Sequence, residues 1–266
     1  MNFSDKQILI TGASDGIGLQ TARLLASKGA RLLLHGRDSA RLEQAAAGLN
    51  PGMKPGPELL KADLSSLAEI RELVAILASR PALDVLVNNA GIGIGPKDAP
   101  RELSQDGIEL RWAVNFLAPF ALTEGLIAAN KAPGVIVNVA SAGQAVFDFA
   151  NLMLERDYSG MQAYCQSKLA LIAWTFDLAE RRHDLRINAL HPGSLLDTKM
   201  VQETFGYALG KPESGAEAIA NTIKQGLAGV SGSYFNVLQP ARAQKQAYDP
   251  DARDRLRQWA EAIINQ

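Results

Sequence analysis

Tyr164 and Lys168 stand four residues apart in the run YCQSK, and a glycine-rich stretch, TGASDGIG, occupies residues 11–18. On a helix, residues four apart share a face, so a phenol and an ammonium at this spacing can act as a pair. A phenol titrates near ~10, too high to exchange protons freely at neutral pH. A cation beside it favours the phenolate and is expected to lower that value. A glycine-rich turn between a strand and a helix offers free N–H groups and positive potential to the phosphates of a nucleotide. A proton-handling pair together with a nucleotide-holding turn points to redox chemistry.

For these groups to meet, a strand must deliver the turn and a helix must carry YCQSK. Short β-rich runs fall at residues 7–11 (QILIT), 31–34, 58–61, 85–88 (VLVN), 135–139 (VIVNV), 186–190 and, more weakly, 232–236. Helical spacing predicts helices over about 17–28, after Ser39 as a cap, from Ser65 or Ser66 to 78, over 112–129 with Pro119 as a kink, and over 160–182, 214–225 and 252–264. Strands alternating with helices predict an α/β domain with a parallel sheet and helices on both faces. The near-continuous apolar character of VLVN and VIVNV suits strands buried on both sides. Residues 50–57 (NPGMKPGP) read as a loop too short to divide domains, so residues 1–266 are expected to form one domain.

Composition narrows the function classes. The chain has 266 residues, 47% hydrophobic and 21% charged, with a formal net charge of -1. Nothing in that balance suggests a nucleic-acid surface or an anionic membrane. The one cysteine, Cys165, excludes an intramolecular disulfide and fits a reducing compartment. The opening MNFSDKQ does not read as a signal peptide, and no apolar stretch reaches the roughly 18 residues that span a bilayer. A soluble cytoplasmic protein is expected. Three dispersed histidines and one cysteine predict no metal site.

Within the turn, Gly12 allows the sharp bend, Gly16 lets backbone approach a pyrophosphate, and Gly18 permits close helix–strand packing. Ser14, Asp15 and Ile17 complete the candidate phosphate-side contacts. An NAD site usually ends its second strand with an acid for the ribose 2′-OH. Here the segment is LLLHGRD, with Gly36 at that place and Arg37 beside it. A guanidinium can pair with a 2′-phosphate, which favours NADP (NADPH); Asp38, one residue on, keeps NAD in play. His35 either flanks the adenine or ends the strand.

TGASDGIG, the run NNAG at residues 88–91, Asn115, Ser141, YCQSK and Pro192-Gly193, in that order, resemble the short-chain dehydrogenases/reductases over nearly the whole chain. YCQSKLALIAWTFDLAER followed by INALHPG, and YF followed by a charged helix with Trp259, are similar to the retinol-dehydrogenase-like branch. The resemblance implies a single Rossmann-type doubly wound domain with a seven-stranded parallel sheet, assembled as a homodimer or homotetramer. It implies Tyr164 as general acid/base, Lys168 on the nicotinamide ribose, Ser141 on the substrate oxygen and Asn115 on a water-linked proton path. It places Asp63, with Leu64, at the adenine, and Asn88, Ala90 and Gly91 along the adenosine side. Pro192, Gly193 and Thr198 would sit near the nicotinamide and the phosphates.

These roles suit the residues without the family. Carbonyl reduction needs a hydride donor, a proton donor and hydrogen bonds to the developing alkoxide. The cofactor gives the hydride, Tyr164 the proton and Ser141 the polarising bond. Tyr164 follows Ser141 by 23 positions, a longer interval than is usual in the family. The added segment, about 144–161, carries Val146, Phe147, Phe149, Leu152, Met153 and Leu154. It reads as an apolar flap suited to a lipophilic or bulky substrate, or else as an oligomer contact or packing. Residues 195–212 form a second candidate lid. GIGIG at 91–95 reads as a flexible loop beside the cofactor, and Cys165, about 100° around the helix from Tyr164, as a packing residue. The expected function is NADP-dependent hydride transfer between cofactor and a small-molecule carbonyl or alcohol. The competing readings are a non-catalytic NADP-binding regulator and an epimerase or dehydratase on a nucleotide sugar.

Overall fold

The chain alternates strand and helix from its start: β1 (Gln7–Ile10), α1 (Gly16–Ser27), β2 (Arg31–Gly36), α2 (Ser39–Ala47), β3 (Glu58–Lys61), α3 (Leu67–Ala78) and β4 (Val85–Asn88). There follow α4 (Leu110–Trp112), a π-helical turn (Ala113–Leu117), α5 (Ala118–Ala128), β5 (Val135–Val139), α6 (Gly160–Arg181) and β6 (Arg186–His191). The chain ends with α7 (Lys199–Phe205), α8 (Pro212–Leu227), β7 (Ser233–Asn236), β8 (Gln239–Ala241) and α9 (Pro250–Ile264). The computed structural model describes residues 3–49, 56–96 and 99–265. Residues 50–55 of the expected loop lie outside these.

The sheet order is β3-β2-β1-β4-β5-β6-β7-β8. The first seven strands are parallel, and β8 adds an antiparallel edge that the sequence reading lacks. Its hairpin turns through Val237 (φ 56°) and Leu238 rather than an Asn-Gly or Asp-Gly pair, so no turn signal announces it. Pro240 sits where edge strands tolerate it.

Side-chain alternation along the strands feeds two cores. Leu9, Leu86 and Ile136 face one side with α3, α5, α6 and α9. Ile8, Ile10, Val85, Val87, Val135 and Val137 face the other with α1 and α8. With both faces covered, these strands carry few polar residues, as a parallel sheet requires. Caps fix where the helices begin. Asp15 accepts from Gly16 N, Ser66 from Glu69 N and Ser159 from Gln162 N. Asp38, not Ser39, caps α2 by accepting from Arg41 N.

The long helix expected over 112–129 is two helices joined by the π turn. Pro119 is the second residue of α5, directly after the π turn.

The segment 144–161 is not a flap. Phe147 and Leu152 are buried in the same core as Leu256 and Ala260 of α9, and Leu154 is buried as well. Phe147 meets Trp112 edge-on at 6.3 Å, and Trp112 meets Trp259 of α9 at 5.3 Å. Gln246 clamps Phe147 from both sides: its Oε1 accepts from Phe147 N and its Nε2 donates to Phe147 O, each at 2.9 Å. Arg101 Nε holds the far end by donating to Met153 O at 2.7 Å. Of the apolar residues read as a substrate cover, Phe147, Phe149, Leu152 and Met153 instead pack in the core that α9 joins, while Val146 is exposed. Phe147→Ala is therefore expected to lower unfolding free energy by about 3–5 kcal/mol, measured by urea denaturation; a change below about 1 kcal/mol would contradict this packed role.

Candidate active site

The turn after β1 is built on close approach. A Cβ on Gly18 would lie 2.2 Å from the Gly12 carbonyl oxygen and 2.5 Å from Asn89 Nδ2, so no side chain fits. Gly12 adopts φ 65°, and a Cβ there would come within 2.9 Å of Ala90 Cα. Asn89 Nδ2 donates to Thr11 O at 2.8 Å and Gly12 O at 3.2 Å. Thr11 Oγ1 in return accepts from the backbone of Asn89 and Ala90, both at 3.0 Å. His35 Nδ1 accepts from Gly12 N at 3.4 Å while its Nε2 faces Ala62 O at 3.1 Å. Burial drives the imidazole down to about 4, so it stays neutral in this role at ordinary pH.

Asn88 does not share this position. It is buried on β4, and its Nδ2 donates to Asn138 Oδ1 at 2.8 Å, away from the cleft. The asparagine that lines the cavity is Asn89. The two differ by one residue past a strand end, which is enough to reverse the face.

The loop 91–95 is tethered rather than loose. Asn115, in the π turn, accepts from Ile92 N at 2.8 Å and donates to Ile92 O at 3.1 Å and Ser167 Oγ at 3.2 Å. Arg111 donates from Nε to Gly93 O and from Nη2 to Ile94 O, both at 3.1 Å. Its Nη1 reaches Glu109 Oε1 at 3.2 Å and the Tyr158 hydroxyl at 2.8 Å. Glu109 is fully buried and Arg111 almost so, forming an ion pair in which each satisfies the other. Burial, with the Glu109 charge, pushes the Tyr158 phenol up to about 12.

Ser141, Tyr164 and Lys168 meet beyond this loop. The Ser141 hydroxyl accepts from Gly143 N at 3.0 Å, and its carbonyl accepts from Tyr234 Oη at 3.0 Å and Gln144 Nε2 at 3.1 Å. Lys168 Nζ donates to Val139 O at 2.8 Å and lies 5.9 Å from the Tyr164 ring centre. Burial pushes the Tyr164 phenol above its ordinary value, and a hydrogen bond with Ser141 offsets part of that. The expected lowering by Lys168 does not appear: burial is the largest influence on the phenol, and Lys168 is not among the groups that shift it. Lys168 is itself brought down to about 8 by burial.

One cavity of about 870 Å³ joins these parts. Gly12, Ser14, Asp15, Gly16, Ile17 and Gly18 line one stretch of it, and Ser141, Tyr164 and Lys168 another. Ala90 and Gly91 lie between, and Pro192, Gly193 and Thr198 also line it. Arg37, Asp63 and Leu64 line the end beside β2 and β3, where the Asp63 carboxylate is occupied by Ser65 N and Oγ. Asn115 stands behind the wall: a Cβ on Gly91 would lie 3.2 Å from Asn115 Oδ1 and 3.3 Å from Lys168 Nζ. Of the segment 144–161 only Met161 lines the cavity, whereas Leu195, Leu196 and α7 residues Met200 and Val201 do. Cys165 also lines it, half-buried, with burial raising its thiol. Asn89 and Arg41 are lining residues the sequence reading did not single out. Both had a local signal, Asn89 its place in NNAG and Arg41 its place one turn after Arg37.

Residues 6–206 match the sequence model of a family described as short chain dehydrogenase. Retinol dehydrogenase 13 of Homo sapiens is 34% identical over 282 residues, covering 97% of this chain and 83% of that protein. A crystal structure of an uncharacterized protein from Mycobacterium paratuberculosis superposes with a TM-score of 0.80 at 28% identity, covering 100% of this chain and 95% of the other. A short chain dehydrogenase from Burkholderia cenocepacia, in complex with NADP, gives a TM-score of 0.70 at 26% identity, covering 89% and 97%.

The Lys168 shift has a consequence for stability. Between about 8 in the folded chain and ~10.4 in the unfolded one, the unfolded state holds the extra proton. Stability from this group therefore rises with pH across that window, by on the order of 3 kcal/mol at most. Denaturant titrations of wild type and Lys168→Met without cofactor should diverge in favour of wild type from about pH 8 to pH 10; parallel pH profiles would show that this ammonium is not desolvated.

Proposed function

The chain belongs to the short-chain dehydrogenase/reductase family, on its retinol-dehydrogenase-like branch, and we propose that it interconverts a carbonyl and an alcohol with NADP(H), Tyr164 acting as general acid/base. Family membership makes it an oxidoreductase of alcohol or carbonyl groups that uses a nicotinamide cofactor and a small-molecule substrate. The acid/base role, the choice of NADP and the residue assignments are our reading.

The cavity's donor set fits a nicotinamide dinucleotide. The first turn of α1 faces it with free amides, Arg37 and Arg41 stand toward the β2 end, and Lys168 and Tyr164 toward the other. A nicotinamide cofactor held there would supply the hydride exchanged with the substrate carbon. Ser141, held by Gly143 N and by its carbonyl bonds, is positioned to donate to the substrate oxygen. Tyr164 gives that oxygen its proton in reduction and takes it back in oxidation. Lys168, anchored to Val139 O, orients the ribose and supplies positive charge beside the phenol. The single observation carrying this reading is the approach of Ser141, Tyr164 and Lys168 to one cavity that also borders the glycine turn.

NADP is favoured over NAD by two arginines at the β2 end and by Gly36 in place of a strand-end carboxylate. The NADP held by the Burkholderia cenocepacia neighbour agrees with that preference. The apolar lining from Ile92, Ile94, Leu195, Leu196, Met200 and Val201 favours a lipophilic substrate. No helix among the described residues is long and apolar enough to cross a membrane. A cytoplasmic location and a homodimer or homotetramer complete the proposal; fractionation and light scattering test them.

NADPH oxidation over a panel of aldehydes and ketones tests the activity. Tyr164→Phe should lower kcat by roughly 10²–10⁴-fold and leave the Kd for NADPH within about twofold. Equal turnover in that variant would falsify the acid/base assignment. Because burial raises the phenol, reduction should hold through neutral pH and decline at alkaline pH, with oxidation following the opposite course.

A further inference from the structure

One ion pair at the β2 end of the cavity is not explained by the fold. Asp15 Oδ2 accepts from Arg41 Nη2 at 2.7 Å, and both side chains line the cavity with Arg37 and Asp38. The pair joins the first turn of α2 to the residue before α1, and about half of each side chain is open to solvent. No ion pair joins Arg37 to another described residue. Asp38 is occupied as the N-cap of α2, accepting from Arg41 N at 3.2 Å. Two arginines and two aspartates therefore meet where the ribose end of the dinucleotide is read, and their formal charges cancel.

We propose that Asp15 competes with the cofactor's 2′-phosphate for the Arg41 guanidinium, so that this pair, and not Arg37 alone, sets the preference between NADP and NAD. The proposal rests on the dinucleotide reading of the cavity. Solvent screening makes the Asp15–Arg41 pair weak and easily exchanged. A phosphate monoester carries up to about two negative charges and three acceptor oxygens, against one charge on Asp15. It outbids the carboxylate for a planar guanidinium, which binds phosphate in bidentate fashion. A 2′-hydroxyl has no charge with which to displace Asp15, so with NAD the pair stays closed. Asp15 thus reduces the advantage of NADP twice, by occupying Arg41 and by placing negative charge near the phosphate.

Asp15 also caps α1 through Gly16 N at 2.6 Å, so the test must keep that bond. Asn caps a helix about as well as Asp, which makes Asp15→Asn the informative variant. Kd values for NADPH and NADH are measured by fluorescence titration or calorimetry for wild type, Asp15→Asn, Arg41→Ala and Arg41→Gln, with melting curves as a fold control. Asp15→Asn should tighten NADPH roughly three- to tenfold and leave NADH within about twofold. Either Arg41 variant should weaken NADPH roughly tenfold with little change for NADH. An unchanged ratio in Asp15→Asn, or equal weakening of both dinucleotides in the Arg41 variants, overturns the competition. The wild-type ratio, compared with Arg37→Ala, tests the NADP assignment by itself, whereas the shift between the Asp15 and Arg41 variants tests the competition.

Discussion

The cleft exists because one long helix is locked against the C-terminal edge of the sheet. α6 is buried on most of its circumference from Ala163 to Leu178, so the hydrophobic effect holds it in place but does not fix its register. Register comes from polar contacts and one steric limit. At its start, a Cβ on Gly160 would lie 2.1 Å from Ile94 O, so the helix comes as near to the loop 91–95 as a backbone can. One turn later Tyr164 faces the cavity, then Ser167 meets Asn115 and Lys168 meets Val139 O. Deeper in, Thr175 Oγ1 accepts from Asn138 Nδ2 at 2.9 Å, and Asn138 accepts from Asn88. Slipping α6 by one residue would turn every one of these donors and acceptors away from its partner in a dry interior, where an unmade bond costs most.

The same locking explains why the loop 91–95, along the cavity wall, is fixed. Its glycines read as flexibility, but Asn115 and the buried Glu109–Arg111 pair consume its backbone carbonyls one after another. Gly95 is glycine for space as well as conformation, since a Cβ there would lie 2.5 Å from Arg111 Nη2. Tyr158 brings the segment before α6 onto the same arginine. A charge cluster outside the cavity thus sets the distance between two of its walls.

What the sequence makes legible is whatever depends on neighbours in the chain. TGASDGIG follows a strand and opens a helix, so its turn can be read from seven or eight letters. Tyr164 and Lys168 share a helix face by spacing alone. The rest depends on contacts between distant residues. The apolar stretch 144–161 has the composition of a lid and of a core equally, and only Trp112, Gln246 and Trp259 decide between them. Asn88 and Asn89 are chemically identical, and the end of β4 assigns one to the interior and the other to the turn. Arg41 gains meaning only when α2 packs beside Asp15. β8 depends on a Val-Leu turn without the residues that usually mark a hairpin.

Tyr164 and Lys168 show how burial can reverse an expectation drawn from spacing. A cation beside a phenol stabilises phenolate, and the four-residue interval delivers that cation. The wall that brings the two together also removes them from water, and desolvation disfavours each charged form separately. Tyr164 moves up and Lys168 moves down to about 8, both toward neutrality. At neutral pH the lysine is still mostly an ammonium donating to Val139 O, and the tyrosine is a neutral phenol bonded to Ser141. A neutral phenol is the form that can give up a proton, so in the acid/base role proposed for it Tyr164 is charged with its proton at neutral pH, and any step that removes that proton works against the desolvation of the phenolate.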